Sequence, residues 1–232
     1  MRILLTRAHE DAERTEKKLA ALGHEVVIAP VLRVVLTGDP APADPHDALI
    51  VTSAHAVEGL AAYPDKAVPV FSVGERTTDA LLEAGFTAVA TAEGDAVSLS
   101  RLIRETLQPP RTLLHVTARH HKEEPAASLS AAGFTMLSWE VYEAEALAAW
   151  PEAALEALRT GKIEAVLHYS RRSADLFVRQ AEKAGLRSAI LGCLHLCLSE
   201  DVSAPLKAIG AATRMASWPH EDALLELVRS PS

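Results

Sequence analysis

One repeated spacing restricts the fold of this chain more than any other feature. Phe71-Ser72-Val73-Gly74 leads to a helix-closing Gly85, and Leu196-Cys197-Leu198-Ser199 leads to Gly210, so each turn stands 11 residues before its glycine. The next helices open at Asp95-Ala96-Val97-Ser98-Leu99 and His220-Glu221-Asp222-Ala223-Leu224, 125 residues apart, the same offset as the turns. Before them, Asp47-Ala48-Leu49-Ile50-Val51-Thr52-Ser53 parallels Glu164-Ala165-Val166-Leu167-His168-Tyr169-Ser170: an acidic residue, an apolar strand, then a serine-bearing turn into a helix. The N-terminal unit also has a counterpart. Ile3-Leu4-Leu5, Leu19, Gly23 and Val26 match Leu113-Leu114-His115, Leu129, Gly133 and Met136 at an offset of 110.

The order of blocks is therefore A–B–A′–B′, each block made of strands separated by helical patterns. Such βα units pack as parallel sheets with right-handed crossovers. Strands are expected at 48–51, 68–73, 87–90, 113–116, 163–168, 192–198 and 212–216. Helices are expected at 54–62, 76–84, 95–107, 122–132, 151–159, 172–184, 201–208 and 221–229. Pairing A with B′ and B with A′ predicts an α/β protein of two domains from an internal duplication, residues 1–33 with 146–232, and residues 38–138. The chain then crosses between them twice, at 31–46 and 137–147. Both segments read as extended: Val31 to Leu36 runs into the Pro-rich stretch Asp39 to Pro45, and Thr135 to Tyr142 runs into Glu143-Ala144-Glu145. Two antiparallel linkers can pair as a short ladder, which would turn both domains toward one cleft. Two sequential domains divided near residue 110 satisfy the repeats as well.

Composition agrees with this class. Aromatics make up 4% of the 232 residues against 49% hydrophobic, so the core must be mostly Ala, Val, Leu and Ile, the residues of parallel strands buried on both faces. The net charge of −8 argues against nucleic acid as a partner. It leaves room for an anionic small ligand, because helix N-termini and local cations act at short range. No apolar run approaches the roughly 20 residues of a membrane span, and the apolar part of the N-terminus is too short for a signal peptide. Cys193 and Cys197, the two cysteines, sit in an apolar stretch. A cytoplasmic, disulfide-free protein is expected.

In doubly wound sheets, ligands bind beyond the carboxyl ends of the strands. The loops there carry Arg7 and His9, Ser53 and His55, Gly74 to Thr77, Arg119 to Lys122, and Ser170 to Arg172. Local roles compete with binding: Thr52, Ser53 and Ser170 are good helix caps, and Arg171, Arg172 and Lys122 are ordinary surface charges. His120-His121 has no further ligand pattern, so no metal is expected. The absence of a Gly-x-Gly-x-x-Gly turn disfavours a dinucleotide.

These motifs taken in order, Leu5-Thr6-Arg7, Thr52-Ser53-Ala54-His55-Ala56-Val57, Val73-Gly74-Glu75-Arg76-Thr77-Thr78, Val141-Tyr142 and Ala216-Ser217, resemble the uroporphyrinogen-III synthase family over nearly the whole chain. The resemblance implies two flavodoxin-like domains (three-layer α/β/α, parallel sheet) joined by a two-strand linker. It also implies a monomeric, cofactor-free lyase that cyclises hydroxymethylbilane, a linear tetrapyrrole with eight carboxylates, inverting its terminal ring. Tyr142 is then the candidate acid that helps hydroxide leave, with Thr77 second. Arg7, Thr52, Ser53, Ala54, His55, Gly74, Arg76, Arg119, Ser170, Arg171 and Arg172 are the candidate substrate contacts. The sequence departs from the family pattern at Tyr169-Ser170, where Thr-Ser is usual, and at Ser199-Glu200-Asp201-Val202, where a second Gly-x-x-Thr turn is expected. The alternative function is a non-catalytic tetrapyrrole- or anion-binding protein with the same fold.

Overall fold

The structure is a computed structural model that describes residues 1–229. The chain forms two compact units, one from Met1–Arg33 together with the chain from Glu145 on, the other from Val34–Ala144. In chain order the elements are β1 (Arg2–Leu5), α1 (His9–Ala21), β2 (Glu25–Ile28), β3 (Leu32–Leu36), β4 (Ala48–Val51), β5 (Val70–Ser72), α2 (Glu75–Glu83), β6 (Val89–Thr91), α3 (Ala96–Thr106) and β7 (Thr112–Ala118). There follow α4 (Ala126–Ala131), β8 (Thr135–Ala146), α5 (Glu152–Arg159), β9 (Ala165–His168), α6 (Arg171–Lys183), α7 (Arg187–Leu191), β10 (Leu194–Cys197), α8 (Glu200–Ala208), β11 (Thr213–Met215) and α9 (Glu221–Arg229).

The first unit has the strand order β11-β10-β9-β1-β2, with all pairs parallel. This is the doubly wound order of flavodoxin-like proteins. The second sheet runs β3-β8-β7-β4-β5-β6. From β8 to β6 it is parallel and repeats that arrangement with the sequence order permuted.

Alternation along the central strands builds the layers. Successive side chains of a strand point to opposite faces, so Ile3 and Leu5 of β1 enter a core with Ala12 and Leu19 of α1 and Leu224 and Val228 of α9. Leu4 enters the other core, among Ala154 and Leu158 of α5, Phe177 of α6 and Leu206 of α8. In the second unit, Leu49 and Val51 of β4 pack with Leu60 and Leu81, and Ala48 and Ile50 with Leu99, Ile103 and Leu129. All of these strand residues are fully buried. Truncating one of the leucines to alanine is expected to cost about 2–5 kcal/mol.

Local signals set the ends of the elements. Asp95 caps α3, accepting from the Ser98 amide at 2.7 Å, while the Ser98 hydroxyl accepts from the Asp95 amide at 3.4 Å, a reciprocal capping box. Gly23 ends α1 at φ +80°, a conformation that glycine adopts without a Cβ penalty.

Two expectations are corrected, and one element was not foreseen. Residues 54–62 form two short 3₁₀ turns, Ala54–Ala56 and Glu58–Leu60. Gly59 disfavours a regular helix, and the segment presses against β8. The helix expected from residue 122 begins only at Ala126, because Pro125 restricts the conformation of Glu124. The unforeseen element is the short helix α7, which lies just before the strand expected from 192 and found at Leu194–Cys197. The extended segment expected from Thr135 is one long strand, β8, through Ala146. β8 pairs with β7 from Thr135 to Tyr142, and the Val141 carbonyl accepts from the Thr37 amide (3.1 Å).

Candidate functional site

On the second unit, the carboxyl ends of β4, β5 and β7 gather most of the motif residues. Thr52 follows β4, and its Oγ1 lies 3.3 Å from Nε2 of His115, a β7 residue that is 3% exposed. Burial, with a smaller push from His121, takes the His115 imidazole down to about 4, so it is neutral near pH 7. Ser53 accepts from the His55 amide at 3.3 Å, capping the turn that carries Ala54 and His55. Gly74 opens α2, and its carbonyl accepts the amides of Thr77 (3.0 Å) and Thr78 (3.1 Å). An added Cβ at Gly74 would stand 3.3 Å from the Gly94 Cα, so glycine lets two loops close together. Arg76 is exposed beside this turn, and Thr77 is 4% exposed, on the inner side of α2.

Tyr142 reaches this edge because of a bulge. Glu140 stands opposite Thr117 and Tyr142 opposite Ala118, which leaves Val141 as an extra residue. In a regular strand, Trp139 and Tyr142 would point to opposite faces. The extra residue re-aims the chain, and Tyr142 packs against the same core as Trp139 and Val141. Its ring comes within 6.0 Å of the His55 ring, at 48°. Arg119, just past β7, donates its amide to the Tyr142 carbonyl (2.9 Å). Its guanidinium meets Asp39 and Glu143 at 3.3 Å and Glu140 at 3.6 Å. A cavity of 340 Å³ on this unit, lined by Gly38, Asp39, Gly59, Tyr63, Trp139 and Val141 among others, includes none of the predicted site residues.

On the first unit, Ser170 caps α6 through the Ser173 amide (3.1 Å), Arg171 pairs with Asp201 (2.9 Å), and Arg172 is exposed. Arg7 is held from several sides. It lies 2.6 Å from Glu221, 3.4 Å from Asp11 and 3.1 Å from the Thr15 hydroxyl, with its guanidinium 4.0 Å over the Tyr169 ring. Burial alone would raise the Glu221 carboxyl, but Lys18, Arg7 and Thr15 outweigh it and hold the group below its ordinary value. The departure at Tyr169 thus supplies the aromatic face that Arg7 stacks on. The departure at Ser199 leaves the backbone unchanged in kind, since Ser199 (φ −159°, ψ 172°) and Gly74 (φ 179°, ψ 173°) are both extended helix caps.

Sequence reasoning missed the acids around Arg7 and Arg119, because Glu221 is 214 positions from Arg7 and an ion pair at that range has no local signature. It also missed His115, which reads as an ordinary core position. Cys193 and Cys197 are buried, and burial pushes their thiols up to about 11 and about 12. Among the described residues, no group of three or more His, Cys, Asp or Glu is placed to hold a metal ion, and no helix is long and apolar enough to cross a membrane.

Comparison with known proteins gives the family. Residues 13–226 match the uroporphyrinogen-III synthase HemD family, and no curated protein sequence matches significantly. Among solved structures, the uroporphyrinogen-III synthetase of Helicobacter pylori superposes with a TM-score of 0.65 at 17% identity, covering 99% of each chain. A mutant uroporphyrinogen III synthase of Thermus thermophilus superposes with a TM-score of 0.57 at 18% identity, covering 99% of this chain and 97% of that one. At such identities the superpositions speak for the fold, and the match over residues 13–226 places this chain in the uroporphyrinogen-III synthase family.

Proposed function

We infer that this protein closes hydroxymethylbilane to uroporphyrinogen III, and the observation that carries the reading is the family match over residues 13–226. In that reaction the hydroxyl of the hydroxymethyl group on the first ring leaves as water, and its CH2 carbon remains as the electrophilic end of an azafulvene. The substituted carbon of the last ring attacks it, a spiro intermediate forms, and the ring rejoins inverted. Uncontrolled closure gives the uninverted isomer, so the enzyme's main task is to hold one folded conformer.

Tyr142 is proposed as the acid that protonates the departing hydroxyl, with His55 beside it to orient the phenol. The buried neutral His115 fixes the Thr52 hydroxyl in the adjoining turn. Ser53, Ala54, Gly74 and Arg76 are proposed to meet substrate carboxylates through hydroxyl, amide and guanidinium donors. Arg119, Arg171 and Arg172 add cationic charge at the loop ends, where Arg119 also meets Glu143 and Arg171 meets Asp201. Thr77 supports the Gly74 turn from inside, and Arg7 with Ser170 frames the equivalent edge of the first unit. A monomeric, cytoplasmic enzyme needing no cofactor is part of the same reading.

The test is to supply hydroxymethylbilane and identify the product isomer. Isomer III formed faster than spontaneous closure supports the reading. Isomer I alone, at the spontaneous rate, would make the protein a binder.

A further inference from the structure

Among the described residues, Trp218 is the one aromatic side chain in the set of exposed large apolar groups, at 54% exposure, whereas Trp139 and Trp150 are 7% and 5% exposed. It belongs to none of the four hydrophobic cores. An indole left in water forgoes burial worth about 25 cal/mol per Å², and a single exposed apolar residue calls for no explanation by itself. This one, however, is held in place. Its ring stacks on the His220 imidazole, with centroids 4.6 Å apart and planes 13° from parallel. His220 is itself fixed: its amide donates to the Trp218 carbonyl (2.8 Å), its carbonyl accepts from the Leu224 amide (3.1 Å), and its Nδ1 accepts from the Asp222 amide (3.3 Å). The imidazole backs one face of the indole, which leaves the exposed surface to its edges and its other face.

Position adds a second argument. Trp218 stands three residues beyond the carboxyl end of β11, at the edge where doubly wound sheets take ligands. The acids that follow in the first turn of α9 do not repel a neighbouring anion at full strength, because Glu221 is paired with Arg7 (2.6 Å) and Lys18 (2.5 Å) and Asp222 lies 3.8 Å from Lys18. An open indole face backed by an imidazole is a surface for another flat π system, which it takes by offset stacking.

We propose that the open face of Trp218, backed by His220, is a stacking platform for a pyrrole ring of the linear tetrapyrrole. The proposal rests on the functional reading above, and it assigns Trp218 to substrate binding and to holding the folded conformer. Trp218→Ala should raise KM about 10-fold, the size of one aromatic stacking contact, with a smaller change in kcat. At subsaturating substrate it should also let more isomer I escape. Trp218→Phe should recover most of the loss.

A second readout needs no turnover. Acrylamide reaches Trp218 before the two buried tryptophans, so quenching of the wild-type emission reports this side chain. Porphobilinogen, a colourless single pyrrole with acetate and propionate arms, should protect the fast-quenched component. Should wild type form no isomer III, the functional reading fails while the quenching assay still decides whether the platform takes a pyrrole. An active wild type with unchanged KM and isomer ratio in Trp218→Ala, or quenching that porphobilinogen leaves unaltered, overturns the platform. If Trp218→Ala does not fold, Trp218→Phe and wild-type quenching decide.

Discussion

The rings of Tyr142 and His55 lie 6.0 Å apart because one extra residue, Val141, turns the Tyr142 side chain onto the face that it would otherwise miss. The residue proposed as the acid thus owes its position to a bulge, and the contacts around that bulge become testable.

Tyr142→Phe removes the phenolic O–H and keeps the ring in its place beside His55. If Tyr142 is the acid, the rate of isomer III formation falls about 10²-fold or more, with the urea midpoint near that of wild type. Wild-type turnover in the variant would remove Tyr142 from the chemistry.

Gly59 packs directly against the bulge. An ideal Cβ there would stand 2.5 Å from the Val141 Cβ and 3.0 Å from Cγ2, a conflict with a short, rigid side chain. Gly59→Ala should therefore push the turn off β8, at a cost of about 1–3 kcal/mol, and disturb the His55–Tyr142 pair. Urea unfolding measures the first effect and isomer III turnover the second. A variant as stable as wild type would show that the close approach is not needed.

Two histidines are buried together in the first unit. His195 donates from Nε2 to the Ile190 carbonyl (2.9 Å), which leaves its Nδ1 to accept from His168 Nε2 at 3.0 Å. His168 Nδ1 is then a bare nitrogen, buried with no partner among the described residues. Burial holds both imidazoles below their ordinary value, His168 far below, as it does His115. The folded state therefore binds fewer protons than the unfolded one. Stability is full above about pH 6.5 and declines as pH falls through that value. His115, at about 4, contributes a loss of about 2 kcal/mol at pH 5, and the pair adds to it. The carboxylates held low, Asp47, Asp95 and Glu221, weaken the fold only further down, below about pH 4. Urea unfolding at pH 7.5 and 5.5 measures the slope, which replacing both His168 and His195 by leucine should flatten. An equally steep slope in the double variant would rule the pair out as a cause.

Two ion pairs of similar length should differ in worth. Arg7–Glu221 (2.6 Å) has side chains 17% and 25% exposed, whereas Arg101–Glu93 (2.8 Å) has them 55% and 78% exposed. Glu221→Gln should cost about 1–3 kcal/mol, since it also leaves Lys18 without its nearest acid, and Glu93→Gln less than about 1 kcal/mol. Chemical denaturation compares them, and equal losses would contradict the dependence on burial.

Much of the architecture was legible before the structure because its signals are local. The buried runs of β1, β4 and β9, the cap at Asp95 and the closing glycines Gly23, Gly85, Gly133 and Gly210, all at positive φ, each depend on neighbours a few positions away. The short apolar stretches around α7 and the turns at 54–60 were less legible, since length and packing decide among helix, strand and 3₁₀ turn there.

The sequence by itself determined the α/β class, the strand–turn–helix spacing and the loops that end beside Thr52, Gly74 and Ser170. Strand alternation and capping are short-range effects of side-chain direction and backbone hydrogen bonding. Only the tertiary structure decided that Tyr142 meets His55, that Val141 rests on Gly59, that Arg7 is already held by Glu221 and Tyr169, and that the Trp218 indole stands backed by His220. Most of these contacts join residues far apart in the chain, and even the Trp218–His220 stack depends on ring angles that spacing does not encode. Each is settled by how strands pair and where a bulge falls, the level at which packing, and not local preference, has the larger energy.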